Sequence, residues 1–209
     1  MVTANTPGMR VRRSDGAQTH ATILDAAVRL ASVEGLGGLS IGRLAQEIGV
    51  SKSGLYAHFG SKHQLQLDIW AAARDIFERE VIEPGLAVPD GLARLERLCE
   101  SYLSYIERRV FPGGCFFAGM LAEFDARTGS AHDEIAADQR EWTQLLDATA
   151  ASARSQGELS RSADPRQLTF DLTAAIQLAN YYFVLFEDPQ AIERARTGIR
   201  ATISAAQEK

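Results

Sequence analysis

The sequence predicts an all-α protein, and three observations carry that prediction. Apolar residues recur at helical spacing along nearly the whole chain, as in Ile23, Ala27, Leu30 and Ala31, and again in Ile41, Leu44, Ala45 and Ile48. No convincing alternating strand segment is bounded by turn residues. The best strand candidate, Tyr181-Tyr182-Phe183-Val184-Leu185-Phe186, continues the helical series Leu168, Leu172, Ile176, Ala179 and Phe183, so it reads as a buried helix end.

Start and stop signals then set out nine helices. Residues 1–18 hold Pro7, Gly8 and Gly16 among polar groups and read as a mobile, basic tail. A first helix over about 19–33 stops at Gly35, where a left-handed residue is cheap. Ser40 caps a short second helix that ends at Gly49, and a third over about 51–59 stops at Gly60. Ser61 and Gln64 have capping-box spacing and open a fourth helix, which Pro84-Gly85 closes. Asp90 is the expected cap of a helix reaching about 109, and Pro112-Gly113-Gly114 breaks the chain again. Helices over about 115–127 and 131–156 follow, the second stopped by Gly157. Asp164-Pro165 and Asp188-Pro189 each pair a cap with a proline whose missing N–H costs nothing in a first turn, and they open helices over about 165–187 and 189–206.

Composition bounds the function. The 209 residues carry 22 Lys+Arg and 27 Asp+Glu, a net charge of −5, with 45% hydrophobic residues, which is ordinary globular usage. Two cysteines, Cys99 and Cys115, supply neither a disulfide framework nor a four-thiolate zinc site. No apolar run approaches the roughly 20 residues that span a bilayer, and residues 1–18 lack the apolar core of a secretory signal, so a cytoplasmic protein without membrane contact is expected. The histidines His20, His58, His63 and His132 are scattered, and no phosphate-binding glycine loop or nucleophile turn occurs. An enzyme, a metal site and a cofactor are therefore not expected. Glu123 and Asp125, two apart, cannot share a helix face as a carboxylate pair.

The charge is unevenly spread. Residues 1–62 hold seven bases and four acids, a net +3, which leaves 15 bases and 23 acids, a net −8, on residues 63–209. A basic front on an acidic body is the asymmetry expected when one end meets phosphate. That front contains a helix–turn–helix pattern. Gly49 makes the turn, Ala45 is small where two helices cross, and Leu55 and Phe59 bury one face of the second helix against Leu44, Ile48 and the first helix. The opposite face presents Ser51, Lys52, Ser53, Tyr56 and Ala57. The expected base-facing residues are Ser51, Lys52, Ser53 and Gly54, since the N-terminal end of a recognition helix meets base edges. Ser40, Arg43, Tyr56, His58 and Lys62 are the expected phosphate contacts. Arg10, Arg12 and Arg13 read equally as a minor-groove arm or as a solvated tail.

Residues 19–65 resemble the N-terminal domain of the TetR family of bacterial transcriptional repressors. The likeness rests on Glu34-Gly35, the stretch from Ser40 to Val50, the run Ser51-Lys52-Ser53-Gly54-Leu55-Tyr56-Ala57-His58-Phe59, and Gly60-Ser61-Lys62-His63-Gln64-Leu65. Gly54 departs from it, because that family more often carries threonine or another small polar residue there. The resemblance implies a homodimer on a palindromic operator, with an all-α C-terminal domain that takes a small-molecule effector. The expected organisation is thus a tail over 1–18, a DNA-binding domain over 19–62, and a ligand-binding and dimerisation domain over 63–209. The alternative is a helical ligand-binding or protein-interaction module that does not regulate DNA.

The body is less informative. Trp70, Tyr102, Tyr105, Phe116, Phe117, Met120, Phe124 and Trp142 are candidates to line an effector pocket, although each also suits an ordinary core. Cys115 reads as a buried thiol or as a sensor near a helix start. The resemblance implies that the last two helices pair with those of a twin chain. Leu168, Leu172, Ile176, Ala179 and Phe183 then form the expected apolar stripe, and Ala195 and Gly198 are small enough for close approach.

Overall fold

A computed structural model describes residues 8–126 and 128–208, with side chains from Thr19 onward except Ser130 and Ala131. All regular structure among the described residues is helical, and the chain divides into two compact units, Met1–Arg74 and Asp75–Lys209. The elements are α1 (Gly8–Glu34), α2 (Ile41–Ile48), α3 (Lys52–Phe59) and α4 (Lys62–Phe77). A π-helical turn (Glu78–Ile82) and α5 (Glu83–Leu86) continue α4 without a break, and α6 (Leu92–Glu107), α7 (Phe116–Phe124), α8 (Ser130–Ser155), α9 (Pro165–Leu185) and α10 (Gln190–Gln207) follow. With the α4-to-α5 run counted as one rod, the described residues hold the nine rods expected.

Local signals held where a cap acts on its own helix. Ser40 Oγ accepts the Arg43 N–H at 3.1 Å, and Asp164 accepts the Arg166 N–H at 2.9 Å ahead of Pro165. Gly35, Gly49, Gly60 and Gly157 follow helix ends with positive φ. Four expectations need correction. Helix α1 begins at Gly8 rather than near residue 19, so Gly8 to Gln18 are helical rather than a mobile tail. A single internal glycine, Gly16, costs a helix about 1 kcal/mol relative to alanine but does not stop it. The part of the expected tail before Gly8, and the side chains of Arg10, Arg12 and Arg13, lie outside the described residues.

Pro84-Gly85 does not close the fourth helix. The π turn shifts the hydrogen-bond register just ahead of Pro84, and the helix continues to Leu86. Gly85 is buried, and a Cβ there would run into the Leu98 side chain, so this glycine serves the packing of α5 on α6. Nor does Asp90 cap α6. Gly91 stands at the cap, and the Leu92 N–H is taken by Glu158 Oε2 at 2.8 Å, from 66 residues further along the chain. Asp90 instead accepts from Ser152 Oγ at 2.6 Å and Arg94 at 2.8 Å. At Ser61, the cap accepts the Gln64 N–H at 3.0 Å, but the Gln64 amide turns to Asp68 at 2.8 Å and does not complete the box.

In the second unit α9 packs on α6, α8 and α10. Arg196 of α10, 14% exposed, donates to Glu107 at 2.7 Å, Glu100 at 2.8 Å and Glu193 at 2.5 Å, tying α10 to α6. Those carboxylates, Glu107 foremost, push its pKa further up. The centre of the unit is aromatic. Phe77 meets Tyr102, Tyr105, Phe117 and Trp142 edge-on, with ring centroids 5.1, 5.7, 5.3 and 5.5 Å away. Edge-to-face pairs add to the burial of each ring. Replacing Phe77 by Ala should therefore cost about 3–5 kcal/mol in a denaturant titration; a loss under about 1 kcal/mol would mean that the cluster is not holding the unit together.

Candidate nucleic-acid interface and effector core

The first unit presents α3 by burying its back. Leu55 is 0% and Phe59 3% exposed, and Leu44 and Ala45 of α2 and Ala27 and Ala31 of α1 are likewise buried. Gly49, at φ 71°, makes the turn between α2 and α3, and the Val50 N–H returns to the Ala45 carbonyl at 3.0 Å. The outer side of α3 then carries Ser51, Lys52, Ser53, Tyr56 and Ala57, all exposed. Ser51 caps the helix by accepting the Gly54 N–H at 3.1 Å, and its oxygen also lies 3.1 Å from Ser53 Oγ. Gly54 is half-buried, and a Cβ there would lie 3.2 Å from the capping oxygen, so a side chain at this position crowds the cap.

The expected phosphate set is less uniform. Ser40 and Tyr56 are exposed, and Ser40 keeps its hydroxyl proton free to donate while its oxygen caps α2. The Lys62 ammonium donates to the Gly37 carbonyl at 3.0 Å, which leaves two of its three N–H groups for other acceptors. Arg43 is held by Glu34 at 2.9 Å and Glu47 at 2.8 Å, so its guanidinium braces the end of α1 against α2. The Glu47 hydrogen bond chiefly raises its pKa. His58 is half-buried, in a tilted stack with His20 and Phe59 whose centroids are 6.1 and 6.3 Å away. Sequence reasoning missed two residues that shape this edge. Gln66 donates to the Leu36 carbonyl at 3.0 Å and, with Lys62, pins the α1–α2 loop to α4. Gly42, in the first turn of α2, lies beneath the Lys52 side chain. Neither is flagged by periodicity or by a motif position.

In the second unit Tyr102, Tyr105, Phe116, Phe117 and Trp142 come together around Phe77 and Phe111, with Met120 and Phe124 buried on α7. Trp70 is buried within the first unit, which ends at Arg74. The rings pack against one another, and the Trp142 Nε1–H is buried without a hydrogen-bond partner. Cys115 sits beneath Tyr102, sulfur to hydroxyl 3.0 Å, and Gln177 of α9 donates to the same hydroxyl at 3.2 Å. Asn180 of α9 accepts the Cys115 N–H at 2.8 Å. Burial pushes both the Cys115 and Tyr102 pKa values up, so the thiol is held protonated rather than poised as a sensor.

The expected dimer stripe is corrected. Leu168, Leu172, Ile176, Ala179 and Phe183 are buried within the chain, as is Ala195, and only Gly198 faces outward. The apolar surface of α9 is its other face, where Phe170, Leu178, Tyr181 and Leu185 are 51–69% exposed, beside Tyr182 and Phe186. A groove of about 300 Å³ runs between α9 and α10, lined by Ala175, Leu178, Ala179, Tyr182, Ala191, Arg194 and Ala195. Positions 170, 174, 178, 181 and 185 also recur at helical spacing, so the sequence carries two apolar stripes on this helix and periodicity alone does not distinguish them.

Residues 91–199, just over half of the chain, match the family described as "Tetracyclin repressor-like, C-terminal domain", and residues 23–69 match "Bacterial regulatory proteins, tetR family". The chain belongs to the TetR family of transcriptional regulators. Over 61 residues it is 36% identical to the HTH-type transcriptional regulator AcrR of Shigella flexneri, a match covering 29% of this chain and 28% of that relative. A TetR regulator from Chloroflexus aurantiacus J-10-FL shares the fold at a TM-score of 0.82 and 22% identity, over 91% of this chain and 96% of that one. AibR, solved with isovaleryl coenzyme A and operator DNA, superposes at 0.70 with 22% identity over 91% and 99% of the two chains. A transcriptional regulator from Saccharomonospora viridis in complex with choline does so at 0.71 with 22% identity over 90% and 96%. In this TetR-family chain no helix among the described residues is long and apolar enough to cross a membrane. None of their His, Cys, Asp and Glu side chains form a group of three or more that could hold a metal ion.

Both thiols of this family member are buried, and burial raises the Cys99 pKa to about 12. Iodoacetamide at pH 8 should accordingly label neither Cys99 nor Cys115 in the native protein on the timescale that labels both in denaturant, as read by intact mass. Rapid native labelling of Cys115 would restore the sensor reading.

Proposed function

We propose that this chain is a dimeric, ligand-responsive DNA-binding regulator, a repressor that leaves a palindromic operator when a small-molecule inducer binds. The observation that carries this reading is the solvent-facing start of α3, where Ser51, Lys52 and Ser53 stand on a helix whose opposite side is fully buried. In each protomer α3 enters a major groove, with Ser51, Lys52, Ser53 and the close-approaching backbone of Gly54 toward base edges. Ser40, Tyr56 and Lys62 hold phosphates, and the Arg43 and His58 positions brace the head with a lesser share in that contact. The operator complex of AibR supports the class of target.

The inducer binds in the second unit against the aromatic cluster, where Tyr102, Tyr105, Phe116, Phe117 and Trp142 offer apolar faces. The Trp142 N–H, buried without an acceptor, supplies a hydrogen bond that the free protein leaves unmade. Binding shifts the population toward dimers whose two heads no longer match the half-site spacing. The ligands of AibR and of the Saccharomonospora viridis regulator support a small-molecule effector in general.

Affinity for an operator selected from random duplexes should fall linearly with log salt, because released counterions drive phosphate binding. Lys62→Ala should weaken selected and random DNA alike and lower the salt slope by about one; a salt-independent wild-type complex would sink the reading. The dimer forms through the exposed face of α9, since an apolar surface of that extent marks an interaction site. Leu178→Arg should therefore halve the mass seen in sedimentation while leaving the helical circular dichroism unchanged. A persisting dimer would move the interface elsewhere.

A further inference from the structure

The end of the exposed Lys52 side chain lies over Gly42 of α2. A Cβ built on Gly42 of α2 would lie 2.9 Å from Lys52 Cε and 3.2 Å from its Nζ, so the end of the lysine chain occupies the space that any side chain at 42 would fill. The same point is 3.9 Å from Ser40 Oγ, which places the ammonium beside the start of α2. Gly42 sits in the first turn of an eight-residue helix, has no turn geometry to serve, and costs helix propensity. A side chain there would displace the lysine end that lies across it.

We propose that Gly42 is a positioning residue for sequence discrimination: it provides the seat that holds the Lys52 side chain in one direction across the α2–α3 junction, and so determines how that lysine meets DNA. A free lysine loses much rotamer freedom when it makes a fixed contact, whereas a chain already laid along the backbone of α2 loses less. The last carbon and the ammonium lie over the glycine, and the residue as a whole stays exposed to solvent. Gly54 completes the arrangement on the other helix. With no side chain beside the Ser51 cap, it leaves Lys52 as the sole long cation at the start of α3. The assignment rests on the reading of α3 as the DNA-facing helix.

The test is a double-mutant cycle. Wild-type protein first selects a duplex from a pool with a random core, and affinity is then measured for that duplex and for one with scrambled half-sites. Gly42→Ala should lower the ratio of the two affinities by roughly tenfold, the scale of one base contact. In a Lys52→Ala background the same change should move the ratio less than twofold. Thermal unfolding should show a Tm for Gly42→Ala equal to or above wild type, because alanine is the better helix former and only the flexible end of a lysine must shift. A merely structural role would move Tm with affinity. A full ratio in Gly42→Ala, or an equal loss with and without Lys52, would overturn the assignment. If wild-type protein enriches no duplex, the DNA reading itself fails and the assignment falls with it, an outcome distinct from either of those two.

Discussion

A short helix can offer one side to a partner only if the other side is held, and the burial of Leu55 and Phe59 does that holding here. Eight residues are too few for a stable helix in water, so α3 owes its existence to the layer formed by α1 and α2. The left-handed turn at Gly49 sets the angle at which α3 leaves α2, and the Ser51 hydroxyl closes its first turn. Everything that makes the head distinctive follows from that constraint. The exposed residues are small or flexible because the buried ones supply the rigidity, and the neighbouring charges, Arg43 with Glu34 and Glu47, keep the supporting helices in register.

The second unit solves a different problem with the same means. Helix α9 is apolar on two faces, and its own chain covers only one of them. The inner face also carries Gln177 and Asn180, which reach the Tyr102–Cys115 pair, so a polar network runs from the middle of α9 into the aromatic centre. A buried pair of this kind is stable because every partner is engaged, and the thiol contributes packing and a weak hydrogen bond rather than reactivity.

Much of this was legible from the amino acids. The all-helical class, the helix–turn–helix and the caps at Ser40 and Asp164 are local in sequence, and a cap two or three residues from its target leaves its signature in the chain. What escaped was long-range. Periodicity reveals that α9 has an apolar stripe but not which of two stripes the rest of the chain will cover. Gly85 resembled a helix stop because the side chain it makes room for, Leu98, lies on the next helix. Gly42 carried no signal at all, since the Lys52 side chain that lies over it belongs to α3. In each instance the meaning of a residue lay in a partner that the spacing of letters does not name.

The Glu158 carboxylate that closes the start of α6 has a consequence for the order in which the protein is made. Helix α6 emerges from the ribosome well before residue 158 does, and until then the Leu92 amide has only water to bond. Ser160 then donates to the carbonyl of Ala206, almost at the chain's last described residue. The start of α6 is therefore closed by a segment 66 residues further along the chain. A nascent chain can thus wind α6 before it can close that helix's first turn, and the closure arrives only with the segment after α8.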